Sequence, residues 1–205
     1  MLIDFRILFP KYGIKPKGVL HVGANVGEEA PVYDELGIKK VWWIEGNGEL
    51  IQKLAANVSK YEGQQWMNYL ISDDNSKVQF HISNNGSQSS SILELGTHLQ
   101  QHPEVNYVHD VEMTTFRIDD LFTSETLAGY DFLNIDLQGA ELKALKGMGD
   151  LLHQFKWAYL EVNRDYVYKN CPLVDEIDLY LVMFGFRRVE TKWVGNWGDA
   201  LYVKG

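Results

Sequence analysis

The chain has 205 residues, enough for one domain with a sizeable core. It carries 19 Lys and Arg against 28 Asp and Glu, a formal charge of −9, which argues against nucleic acid and anionic membranes as partners. No apolar run approaches the ~20 residues that cross a bilayer, the N-terminal MLIDFRILFPKYG is interrupted by Asp4 and Arg6 and makes a poor signal peptide, and Cys171 is alone, so a cytoplasmic protein without membrane insertion is expected.

Gly18–Val22 reads as the first strand. Residues 28–36 read as a helix, with Gly37 where a C-terminal cap belongs. The buried run VWWI, 41–44, is a second strand, and 49–61 a helix with Leu50, Leu54 and Val58 at helical spacing. Residues 66–71 form a third strand, 77–82 alternate as a half-exposed strand, and the Ser-rich 86–91 is a loop. A strand at 111–116 precedes a strand at 131–135, a helix at 141–148, a strand at 157–162 and a helix at 173–184. Phe186–Val194 and 200–204 close the chain as an antiparallel hairpin. This alternation predicts an α/β fold in one domain, 1–205: a mostly parallel sheet, helices on both faces, and an antiparallel C-terminal hairpin strand.

The turn from the first strand into the first helix reads HVGANVGEE, residues 21–29. Ligands of such sheets bind outside the carboxyl ends of the strands, beside the first. Gly23 and Gly27 allow close backbone approach there. A dinucleotide fingerprint is G-x-G-x-x-G, whose pyrophosphate sits on the helix N-terminus. Here Asn25 replaces the middle glycine and Glu28 the third, and Glu28 and Glu29 would repel a pyrophosphate. A cofactor bearing an amine and a sulfonium meets no such repulsion, which favours S-adenosylmethionine over NAD. Glu45 ends the second strand 22 residues after Gly23, where an acid accepts hydrogen bonds from ribose hydroxyls. Ile71, Ser72 and Asp73 end the third strand and would face the adenine. The candidate cofactor residues are thus His21, Gly23, Ala24, Asn25, Gly27, Glu28, Glu45, Gly46, Ile71, Ser72 and Asp73. His21, flanked by apolar residues, is expected to pack near the cofactor's amino-acid end and not to act as a base.

With HVGANVGEE, the segments WIEGN (43–47), LISDD (70–74), TTFRIDDL (114–121), DFLNIDLQGAELKALKGM (131–148) and YLEVN (159–163) make the chain resemble the FkbM-type methyltransferases. The resemblance covers most of 18–163, and GDALYVK (198–204) is similar to the family's closing strand. It implies a seven-stranded Rossmann-like sheet and methyl transfer from S-adenosyl-L-methionine to an oxygen, leaving S-adenosyl-L-homocysteine. Sugar, glycan or natural-product hydroxyls are the implied acceptors. The family's Asp-x-Glu-Gly-x-Glu is kept at Asp136, Gly139 and Glu141, but Gln138 stands where the first Glu is expected.

Methyl transfer from a sulfonium is an in-line displacement, and a sugar hydroxyl needs a base or a metal to become a good nucleophile. Asp136 and Glu161 end adjacent strands and are the candidate catalytic carboxylates. They are read as a base, with a divalent cation between them the less favoured alternative because Gln138 adds no anionic ligand. Asp136 as a helix N-cap and Glu161 as a structural hydrogen-bonder are the plainer alternatives. Glu141 is read as a partner for backbone amides. His98, His102 and His109 lack metal-site spacing and read as surface residues, and Cys171 as buried and inert. Two rivals stand beside this reading: an NAD(P)-linked oxidoreductase and a non-catalytic binding module with the same fold.

Overall fold

The computed structural model describes residues 1–205. Seven strands form the main sheet: β1 (Gly18–Val22), β2 (Lys40–Glu45), β3 (Gln64–Asn68), β7 (Phe132–Ile135), β8 (Trp157–Asn163), β9 (Phe186–Val194) and β10 (Trp197–Lys204). Their order is β3-β2-β1-β7-β8-β10-β9, and only β10 runs antiparallel to its neighbours. All five residues of β1 are buried, as a strand covered on both faces must be.

Alternate residues feed two cores. Leu20, Val22, Leu133 and Ile135 join a cluster with α5 (Ile118–Leu121), α6 (Glu141–Gly147) and α7 (Val174–Val182). Val19, Val41, Trp43 and Phe132 join a second cluster with α1 (Phe5–Tyr12), α2 (Ala30–Glu35) and α3 (Ile51–Val58). The expected sandwich of helices around a mostly parallel sheet is therefore present.

Two local readings change, and the N-terminal segment gains an element. The N-terminal segment is the helix α1, capped by the Asp4 side chain on the Arg6 amide and ended by Gly13 at φ 64°. Its Phe5 and Phe9 stack at 4.8 Å, and Phe5 meets Tyr159 of β8 edge-on. The strand expected at 66–71 divides. Residues 64–68 stay in the main sheet, while β4 (Leu70–Ile71) turns away to pair with β6 (Tyr107–Phe116), which also pairs with β5 (Lys77–Ser83). Leu70, Phe80 and Ile82 form a small core of this second sheet. The hairpin loop is also shorter than expected, Gly195 and Asn196 alone, with Gly195 at φ 59° as a two-residue primed turn requires. A 3₁₀ turn at Gly149–Gln154 and α4 (His98–Gln101) complete the chain.

Candidate active site

The carboxyl ends of β1, β2, β7 and β8 open into a cavity of about 790 Å³, within the range of small-molecule sites. The second sheet and the 84–92 loop supply its other wall. Seven carboxylates line it: Glu28, Glu29, Glu45, Glu104, Asp136, Glu161 and Asp199. No Lys or Arg does.

At the β1–α2 turn the backbone passes Gly23 at φ 85° and Asn25 at φ 45°. A Cβ on Gly23 would stand 1.8 Å from the Asp136 carbonyl oxygen. The glycine is therefore required by packing against β7 as well as by its place in the cavity wall. The turn is tied to β2 through Glu45, which is buried. Its two carboxylate oxygens accept from the Asn25 and Asn47 amides, each at 2.7 Å. Each oxygen keeps a second lone pair. Burial, opposed by these donations, pushes Glu45 up to about 7.

His21 is 3 % exposed, stacks on Trp43 at 4.6 Å and lies 3.2 Å from the Tyr33 hydroxyl through Nδ1. Burial pulls it down to about 3, so it is neutral at physiological pH.

Gly23, Ala24, Asn25, Glu28, Gly46 and Ile71 line the cavity together with His21 and Glu45. Gly27, Ser72 and Asp73 do not. Gly27 lies against α3, where a Cβ would meet Val58 at 2.8 Å. Ser72 and Asp73 face a structural network: Asp73 takes the Ser72 hydroxyl at 3.1 Å and the Lys143 ammonium at 2.9 Å, and its carbonyl takes Arg117. That network anchors α6 beside β4. Glu28 and Glu29 also precede the helix instead of forming its first turn, since α2 begins at Ala30 with Glu29 as N-cap residue.

The centre of the cavity floor is a carboxyl pair. Asp136 follows β7, and Glu161 lies on β8, with Asp199 of β10 opposite it in the strand register. The Gln138 side-chain amide donates to Asp136 and, at 2.8 Å, to Glu161, and its carbonyl accepts from the Tyr168 hydroxyl. Burial first, then the Asp136 charge, holds Glu161 well above the usual carboxylate range. Asp136 is raised by burial and Asp199 and lowered by the Gln138 donation. Both members are thus held above the usual carboxylate range, and they titrate as one coupled pair. Asp136 is not a helix cap, because α6 starts after Ala140. Glu141 receives the Leu137 amide at 2.8 Å and the Gly139 amide at 3.1 Å on one oxygen, which braces the 137–139 turn.

A model of the methyltransferase FkbM domain matches residues 21–188. The chain belongs to the FkbM methyltransferase family. It is an S-adenosylmethionine-dependent enzyme. Over 169 residues it is 25% identical to the 2-O-methyltransferase NoeI of Sinorhizobium fredii, covering 78% of this chain and 70% of that one. Its fold is shared with the magnesium protoporphyrin IX methyltransferase of Synechocystis PCC 6803, at TM-score 0.52 and 12% identity over 97% of this chain and 80% of that one. A TehB-like methyltransferase of Corynebacterium glutamicum matches at TM-score 0.51 and 10% identity, over 100% of this chain and 89% of that one.

This FkbM methyltransferase has cavity residues that sequence reasoning missed. His98 and His102, expected at the surface, line the cavity, and His98 is 6 % exposed with Nε2 at 3.2 Å from Ser89 Oγ. His109 is the surface residue of the three, near Glu49. Tyr159, Tyr168 and Asp199 also line the site, and nothing in local spacing marks them. The Ser-rich loop closes over the cavity: Asn25 donates to the Gly86 carbonyl, Asn47 to Ser87 Oγ, and Ser91 Oγ to the Gln138 carbonyl. Asn163 lies outside the cavity wall, its amide buried without a partner. Cys171 is buried, and its thiol is pushed up to about 11, which fits an inert thiol. No helix is long and apolar enough to cross a membrane.

Proposed function

We propose that this enzyme methylates a hydroxyl of a sugar, glycan or natural product, with Asp136 as the base. The observation that carries this reading is the bridged Asp136–Glu161 pair on the floor of the cavity, next to the β1–α2 turn. The relation to a 2-O-methyltransferase supports oxygen as the acceptor atom.

The cavity suits the cofactor. A wall with seven carboxylates and no Lys or Arg welcomes a sulfonium and an ammonium and disfavours a pyrophosphate, which counts against the NAD(P) alternative. The same wall disfavours a nucleic-acid backbone, whose binding needs cations. His21, Gly23, Ala24, Asn25, Glu28, Glu45, Gly46 and Ile71 would hold S-adenosylmethionine, with Glu45 offering lone pairs to the ribose. When bound, the cofactor supplies an electrophilic methyl group on its sulfonium.

Asp136 then takes the acceptor hydroxyl's proton at its carboxylate. Burial raises both carboxyls of the pair, which favours a shared proton and keeps the remaining carboxylate basic. The 86–91 loop, tied to Asn25, Asn47 and Gln138, covers the cavity from that side. The test is incubation with labelled S-adenosylmethionine and a panel of glycans and small alcohols. Label transfer to a hydroxyl that Asp136→Asn abolishes is the expected result. Transfer to nitrogen or carbon acceptors alone would overturn it. A folded protein that fails to bind S-adenosylhomocysteine would support the binding-module alternative.

A further inference from the structure

We propose that Gln138 is a positioning residue that takes the place of a cation between Asp136 and Glu161, so that the pair works as a base without a divalent metal. The inference rests on the carboxyl-pair reading above and adds to it the identity of the group that holds the pair together. A primary amide has two N–H donors, and each is used here: one goes to Asp136 and the other to Glu161. Tyr168 donates its hydroxyl to Oε1, an arrangement that turns the amide's NH₂ toward the two carboxyl groups. Gln138 also occupies the left-handed region at φ 52°, an uncommon place for a non-glycine residue.

That backbone conformation is over-determined from both sides. Glu141 binds the amides of Leu137 and Gly139, and Ser91 Oγ binds the Gln138 carbonyl. Two carboxylates that close repel each other unless a cation, a proton or shared donors intervene. In this chain the donors are present and neutral.

Three measurements test this. Gln138→Met keeps the volume and removes both donors. Turnover should fall by about 10²-fold, the cost of misplacing a reacting group, with binding of S-adenosylhomocysteine nearly unchanged. The acid limb of its pH–rate profile should move to higher pH, because the donation that stabilises the Asp136 carboxylate is gone while the acids Glu161, Asp199 of β10 and Glu141 of α6, with Tyr159 and Tyr168, still face it and only the Met1 ammonium opposes them. Gln138→Glu adds a third carboxyl to the pair. It should bind Mn²⁺ by calorimetry in the S-adenosylhomocysteine complex, lose turnover in EDTA and regain it with Mn²⁺, whereas the wild-type chain should bind no Mn²⁺ there and ignore EDTA. Wild-type turnover lost to EDTA and restored by Mn²⁺ would overturn the inference, as would Gln138→Met with an unshifted profile and full rate. The Mn²⁺ measurement needs no acceptor, so it stands or falls apart from the acceptor assignment.

Discussion

A single charge decides the chemistry at the residue scale. Asp136→Asn keeps shape and removes the proton acceptor, so kcat should fall by ~10²–10⁴-fold while affinity for S-adenosylhomocysteine stays within a few-fold. A steady-state assay beside calorimetry reads both quantities, and near-normal turnover would leave positioning alone to explain the reaction. Glu45 carries two duties. Its carboxylate offers lone pairs to the cavity and ties the Asn25 and Asn47 amides. Glu45→Ala should therefore weaken cofactor binding by roughly 1.5–3 kcal/mol and also lower the melting temperature, since two backbone donors lose their acceptor. Unchanged affinity in calorimetry would remove Glu45 from the cofactor site.

Two elements carry structural weight that their sequences state unequally. In α1, Phe5 is fully buried among Phe9, Tyr33, Phe132 and Tyr159. Phe5→Ala should cost about 3–5 kcal/mol of stability, measured by denaturant unfolding, although the residue lies outside the cavity wall. In the β1–α2 turn, Gly23 looks like a ligand-approach glycine, and replacement by Val would then leave a folded chain that no longer binds. The Asp136 carbonyl 1.8 Å from its Cβ position changes that expectation. Gly23→Val should instead lose roughly 3 kcal/mol or more of stability, because a backbone atom cannot step aside and the φ of 85° is strained for a branched residue. A Gly23→Val chain with the wild-type melting temperature would contradict this.

On the scale of the whole molecule, buried carboxyls set the pH response. Glu29, Glu45 and Glu141 are raised from the ordinary carboxylate range to about 7, and the Asp136–Glu161 pair is raised as well. The folded chain thus binds more protons than the unfolded one between about pH 4.5 and 7, and stability falls as pH rises through that window. His21 opposes the trend, since its value of about 3 makes the folded state bind fewer protons below pH 6.5. Five raised acids outweigh that histidine, so the melting temperature of the cofactor-free protein should decline from pH 5 to 7. Glu45→Gln should flatten the slope. A melting temperature that climbs across the window would show that the carboxyls are ionised in the folded state.

Local pattern determined much of this protein. Runs such as VWWI and FLNI, bounded by glycines and acids, can only be strands covered on both faces, and their alternation with amphipathic helices implies the sheet. Glu28 and Glu29 after the tight turn beside β1 already pointed to a cationic cofactor, and the motif order named the family. Contacts between distant segments decided the rest. Whether residues 70–71 continue β3 or leave it depends on β6, which is some forty residues further on. Whether Ser72 and Asp73 meet a ligand depends on Lys143 and Arg117. The histidines at 98 and 102 read as surface residues because they sit in an irregular stretch without metal-site spacing, and they line the cavity because α4 packs against the 84–92 loop. Gln138 shows the division most sharply. In sequence it is a missing charge; in the fold its two N–H groups join carboxylates from β7 and β8, because only the packed sheet brings those strand ends within reach of one amide.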